Sequence, residues 1–298
     1  MHTAIRFTVP ILALLSRAAV GQFPTPQSIR ALPLDSIGGV IPVYRSPGVA
    51  RAAAVELQAL MTGCVAKYRD SIPVLPKIEL AILDSAAWLR ATALPYGLPP
   101  NNAAEVPVVV VVPATAAKMF LTGIGTDQPD RFFHLLALHE LGHILMFATI
   151  GVDRRSGWDE KHFPAWYLEL TATSFGLSCV FGRPADYRLL RGTADSVRVL
   201  PRPSFTRLDQ FSEVLTTVTA DGVPYLSTPS GVANFAWYQR LLSESAGRSQ
   251  ERLGLGLVPL LREQWGRKGP VTTADIVKDL SRSDPGLISW LQGFGAIP

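Results

Sequence analysis

Cysteine is almost absent: Cys64 and Cys179 are the only two in 298 residues. Two cysteines are too few for a disulfide scaffold, and they have no metal-ligand spacing. They either pair, tying the first half of the chain to the second in an oxidising compartment, or sit as two separately buried thiols. The sequence leaves both outcomes open. Charge is scarce too, at 17% Asp, Glu, Lys and Arg, yet 48% hydrophobic residues exclude a disordered chain and supply a real core for one large domain or two modest ones. The formal net charge of +4 comes from arginines spread along the chain, not gathered in a run, so no nucleic-acid partner is expected. No Asn-x-Ser/Thr acceptor, internal repeat or stretch of about eighteen uninterrupted apolar residues occurs, so no membrane span is expected in the mature chain.

What is present falls into three parts. The opening "MHTAIRFTVPILALLSRAAVGQ" has a basic residue, Arg6, then an apolar run over 7–15 and the small residues Ala19-Val20-Gly21, so residues 1–21 are expected to be an export signal. Residues 22–47, with "FPTPQ", "ALPLD" and "VIPVYRSPG", are Pro-rich and read as an extended lead-in more than a domain. Residues 48–298 then read as one α+β domain. Its first part, 48–125, alternates helix and strand: a helix over 48–72, a strand at "KIELAIL", a short helix and loop over 85–105, and a buried strand at "VPVVVVVP". Its second part, 126–298, is mainly helical, with helices expected over 130–151, 164–182, 230–247, 250–266, 272–283 and 287–295.

Histidine is rare as well, with five in the chain, yet two sit four apart in "ALHELGHIL". On a helix, residues i and i+4 project side by side. His139 and His143 can therefore chelate one tetrahedral Zn²⁺, while Glu140, rotated slightly around the helix, is placed as a general base. The plain alternative is two imidazoles satisfied by packing or solvent. Gly142 leaves room on the neighbouring face for another helix or a substrate. His134, five residues before His139, points away and reads as structural.

A catalytic zinc site needs a third protein ligand. The metzincin continuation requires Gly and His where the chain has Met146 and Thr149, which excludes that branch. Asp153 and Asp159 in the following loop could reach back. The better candidate is Glu169, 169 − 143 = 26 residues beyond the second histidine and in the middle of the next helix.

At this point the chain resembles a family. "HELGH" followed by "PAWYLELTA" is similar to the gluzincin metallopeptidases of the peptidase-MA-like group, whose second helix carries a P-x-W-x-x-E-G-x-A type signature; Pro164, Trp166, Glu169 and Ala172 match it. The specific likeness covers about residues 130–180. Leu170 replaces the usual Gly after the glutamate, which implies altered packing or cleft rim, and Thr173 stands where many relatives place an Asp that bonds a ligand histidine. The resemblance implies a zincin-like fold with the HExxH helix at the site, one zinc per chain on His139, His143 and Glu169, Glu140 as base, and a peptide or protein substrate. Such enzymes add a Tyr or His donor to the developing oxyanion; Tyr225 is the first candidate, with Tyr238 and His162 competing. The expectation is an exported zinc peptidase. The alternatives are a non-catalytic zinc-binding protein that keeps the fold, and an exported structural protein without metal.

Overall fold

The computed structural model describes residues 24–72, 75–92, 96, 101–102, 107–115, 129–150, 163–180, 203–225, 228–253, 257–267 and 269–298. The expected signal, 1–21, lies outside the described residues.

The chain is a mixed α and β protein: one small sheet, then helices. Strands β1 (Asp35–Ile37), β2 (Val43–Arg45), β3 (Ile78–Leu83), β4 (Asn101–Asn102) and β5 (Val108–Pro113) form a five-stranded sheet in the order β1-β2-β3-β5-β4. The three central strands are parallel, with Leu80 opposite Val43 on one side and Val110 on the other. The two edge strands run antiparallel and are short, which limits the exposed ladder available for wrong pairing. Two features depart from the expected layout. The lead-in is extended where it forms β1 and β2, but those strands complete the sheet, and 26–30 form a helical turn, α1 (Pro26–Arg30), capped by Thr25. The loop after the short helix contributes β4, whose two asparagines pair with Val110 and Val109.

Every residue of β3 and of β5 is buried, as their continuous apolar runs require of strands covered on both faces. On one face Ile78, Leu80 and Ile82 join Val108, Val110 and Val112 in the main core, shared with α2 (Arg51–Tyr68) and α4 (Pro129–Ile150). On the other, Ala81, Leu83, Val109 and Val111 meet Ile29 of α1 and Trp88 of α3 (Ser85–Ala91). The main core continues without a break through α5 (Ala165–Val180), α6 (Phe211–Thr216), α7 (Pro229–Leu253), α8 (Leu257–Trp265), α9 (Thr273–Ser283) and α10 (Pro285–Gly293). The sheet part and the helical part are thus packed on one core. One helix boundary differs from expectation: the stretch from Gln250 to Leu253 continues α7, and α8 starts at Leu257 with Pro259 in its first turn, where a missing N–H costs no bond. Among the described residues no helix is long and apolar enough to cross a membrane.

Helix α2 grips the end of α5. Cys64 and Cys179 are joined in a disulfide across 115 residues of chain. The Tyr68 ring packs on Phe175 with centroids 4.7 Å apart, its hydroxyl hydrogen-bonds Ser178, and the Lys67 ammonium donates to the Ser178 carbonyl in the last turn of α5. Closing so long a loop removes much freedom from the unfolded chain. Replacing both cysteines by serine should lower the unfolding free energy by about 3–5 kcal/mol, read from urea denaturation; a loss below about 1 kcal/mol would mean that the tether contributes little.

Candidate metal centre

The site is built where α4 crosses α5. Gly142 of α4 lies so close to α5 that a Cβ there would stand 2.2 Å from the Ala172 carbonyl oxygen. Gly176 of α5 is its counterpart: a Cβ would stand 2.8 Å from the Leu138 carbonyl carbon and 2.9 Å from the His139 nitrogen. Each helix therefore presents a glycine to the other's backbone, and the small Ala172 between them keeps the axes close. Leu138, Leu141, Leu145 and Phe175, all buried, seal the contact on the core side.

This crossing brings four candidate side chains together. His139 and His143 stack on one face of α4 with ring centroids 4.8 Å apart and nearly perpendicular planes. From α5, the Glu169 carboxylate reaches both: Oε2 lies 3.3 Å from His139 Nε2 and Oε1 lies 3.6 Å from His143 Nε2. Glu140 borders the same space, its Oε1 4.0 Å from His139 Nε2. Side-chain exposures of 14% for His139, 12% for His143 and 27% for Glu169 describe a partly buried recess whose most exposed member is the glutamate. One turn past Glu169, Thr173 Oγ1 lies 2.9 Å from His139 Nδ1. When Nδ1–H donates to that hydroxyl, the Nε2 lone pair faces the recess, which is the tautomer a metal ligand needs.

The electrostatics of the group are those of a tight pair. Burial works against protonation of His139, but the hydrogen bond and charge of Glu169, helped by Glu140, hold its pKa above the ordinary 6.5. Burial alone would raise Glu169; the His139 hydrogen bond and charge, the His143 charge and a hydrogen bond from Gln239 instead hold it down at about 2.

Among the described residues this is the one group of three or more His, Cys, Asp or Glu side chains close enough to share an ion, its ligand atoms lying within 4.8 Å of one another. The donor set suits zinc: two imidazole nitrogens and a carboxylate oxygen, leaving one direction for water. Tetrahedral zinc with bonds of about 2.0–2.2 Å separates neighbouring donors by about 3.3–3.6 Å; the two Glu169 contacts have these lengths, each made by a different carboxylate oxygen. The outer limit of 4.8 Å is wider than that edge, so an ion would draw the donors inward by side-chain rotation.

Two other candidates are held by hydrogen bonds of their own. The Tyr225 hydroxyl donates to Asn234 Oδ1 at 3.2 Å and its ring packs edge-on against Phe205. The Tyr238 hydroxyl donates to the Arg207 carbonyl. His162, Asp153 and Asp159 lie outside the described residues. Leu170, in place of the signature glycine, is buried in the core and so acts on packing; Trp166 is buried with its indole N–H donating to Thr273. His134 lies 3.8 Å from Glu56 of α2, away from the pair. Gln239 of α7 has no signal in the sequence as a site residue, because its place opposite Glu169 depends on how α7 lies across α5.

Compared with known proteins, the chain matches no family model, no curated protein and no solved structure.

Three outcomes follow for the protein itself. Gly142→Ala should cost about 3 kcal/mol of stability, since the added methyl meets backbone that cannot yield. Gly63→Ala in α2, where a Cβ meets nothing within 4 Å, should instead gain about 0.5–1 kcal/mol. In protein stripped of any bound metal by chelator, the histidine–glutamate pair sets a pH window. The raised His139 contributes stability that is fully present below 6.5 and is lost as pH climbs through its folded value. The lowered Glu169 contributes stability present above 4.5 and lost as pH falls toward 2. Stability of the stripped protein from this pair should therefore peak between these limits, checked by melting temperature against pH.

Proposed function

We propose that this protein is an exported, zinc-dependent peptidase of the gluzincin type, with a zincin-like arrangement of the HExxH helix beside the glutamate helix. The observation that carries the reading is the convergence of His139, His143 and Glu169 from two helices, with the Glu140 carboxylate bordering the same recess. His139 and His143 would hold the ion through Nε2, and Glu169 would supply the third donor. A zinc ion bound there would supply Lewis acidity and lower the pKa of a water from 15.7 to about 7. Glu140 takes the proton of the attacking water and delivers it to the departing amine of the substrate. Thr173 fixes the ring orientation and tautomer of His139, a weaker acceptor than a carboxylate but at hydrogen-bonding distance. Export is supported by the signal-like opening segment and by the Cys64–Cys179 disulfide, a bond that persists in oxidising compartments.

A non-catalytic zinc-binding protein is the second reading. One observation favours it: the hydroxyls of Tyr225 and Tyr238 are both engaged away from the recess, so neither tyrosine aims a donor at a developing oxyanion. Glu140 favours the enzyme, because a structural zinc site has no use for a base.

Purified protein should hold close to one zinc per chain by elemental analysis, and Glu169→Ala should lose most of it. Glu140→Gln should keep the metal while cleavage of a mixed peptide library falls about 100- to 10,000-fold. Undiminished cleavage in that variant removes Glu140 from its role, and chelator-sensitive binding with no cleavage in the natural protein selects the second reading.

A further inference from the structure

Each of the three parallel strands begins just after a proline: Pro42 immediately before β2, Pro107 immediately before β5, and Pro76 two residues before β3. Proline has no N–H to give a ladder, so pairing is not extended backward through these positions. A cavity of about 530 Å³ lies at this end of the sheet. Ile41, Val65, Leu75 and Ile78 line it together with the three prolines, so its walls are mostly apolar. Small-molecule sites typically enclose about 300–1,000 Å³ behind such walls, with a few polar groups that fix orientation. No lining residue belongs to α4 or α5, so the cavity is separate from the candidate metal centre.

Three charged side chains border this space: Arg30, Lys77 and Glu79. Glu79 is buried; its Oε1 accepts from Arg30 Nη2, while Arg30 Nε donates to the Tyr44 hydroxyl at 3.2 Å. Those two bonds fix the guanidinium and leave its Nη1 hydrogens unspent. Lys77 stands exposed at the rim, and among the described residues its ammonium has no hydrogen bond or ion pair. The formal charges of the three sum to +1. A cation has no place here, because Arg30 already answers Glu79 and Lys77 would repel it. Glu79 Oε2 is buried without a hydrogen-bond partner, so a second negative charge on a ligand would be repelled in turn. A monoanion leaves the cavity neutral. A carboxylate accepts N–H from more than one direction, which suits two donors of different origin.

We propose that this cavity binds a small monocarboxylate with an apolar body, its carboxylate held between Lys77 and Arg30 and its body against Ile41, Val65, Leu75 and Ile78. The inference stands apart from the zinc reading. Two kinds of molecule share this chemistry: an alkyl carboxylic acid, and an N-acylated amino acid with an aliphatic side chain.

The test titrates the full-length protein calorimetrically with octanoate and with N-acetyl-leucine, each beside an uncharged counterpart, 1-octanol and N-acetyl-leucinamide. At least one acid should saturate a single site per chain, and the tighter of the two identifies the source. Its uncharged counterpart should bind about 5- to 10-fold more weakly, because the charge-assisted contacts are lost. Lys77→Gln should weaken the acid by a similar factor, and Lys77→Glu, which turns the sum of charges to −1, should abolish binding. Lys77 is exposed, so both variants should keep the natural melting temperature. In methyl-labelled protein the signals of Ile41, Val65, Leu75 and Ile78 should move with the bound acid, while those of Leu138 and Leu145 beside the candidate metal centre stay in place. The proposal is overturned if neither acid saturates a site, if the uncharged counterparts bind equally well, if Lys77→Glu leaves affinity unchanged, or if the methyl signals that move lie elsewhere.

Discussion

The contact on which the arrangement depends is the near-touching of two helix backbones at Gly142 and Gly176. Helices normally pack with axes 8–10 Å apart, their distance set by the side chains between them. Here each helix offers hydrogen in place of a side chain where the other's backbone passes, so the spacing is set by main chain, which cannot change rotamer. Glu169 lies seven residues before Gly176 on α5, and His139 and His143 flank Gly142 on α4. The distances of 3.3 and 3.6 Å between the carboxylate and the imidazoles are thus consequences of a backbone contact. A longer-armed residue at either glycine would hold the helices apart and leave the carboxylate short of its partners.

A crossing this close also needs to be held in register along the helix axis. The far end of α5 is held by α2 through the Cys64–Cys179 bond, the Tyr68–Phe175 ring contact and the two hydrogen bonds at Ser178. Helix α2 in turn shares its buried face with the parallel strands, where Leu57, Met61 and Val65 meet the same core as Leu80 and Val110. The sheet serves as the platform: it contributes no described residue to the candidate metal centre, but it fixes α2 and α4, and these fix α5. Load passes from sheet to helix to the His139–His143–Glu169 group, and the disulfide lies on that path, ten residues beyond Glu169.

How much of this the sequence revealed depends on the range of the interaction. The His139–Glu140–His143 face was legible because helical periodicity is local; four residues suffice to place two imidazoles side by side. Glu169 and Thr173 were legible at the next range, through a helix–loop–helix layout and a resemblance that named both positions. The buried strands were legible from their unbroken β-branched runs, whereas β4, only two residues long, had no pattern to read. The cysteines left two outcomes open because composition does not say which helices meet. Tyr225 stands just before α7, and its hydroxyl bonds Asn234 only nine residues on, a local staple that the helical pattern does not show. Gln239 was invisible for the opposite reason: 239 − 169 = 70 residues separate it from Glu169, and only the path of α7 makes them neighbours.

The charge balance of the recess points the same way as its geometry. Two carboxylates, Glu140 and Glu169, face a partly buried space shared with two imidazoles. With neutral histidines the group carries a formal charge of −2, and taking two anions out of water uncompensated costs several kcal/mol for each. A proton on His139 offsets half of that, which is the direction in which both Glu169 and His139 are shifted. A divalent cation would offset all of it while leaving both imidazoles neutral and able to donate their lone pairs. A proton and a divalent cation would thus compete for one place, and the neutral Thr173 hydroxyl is the kind of neighbour that orients His139 without tilting that competition toward the proton.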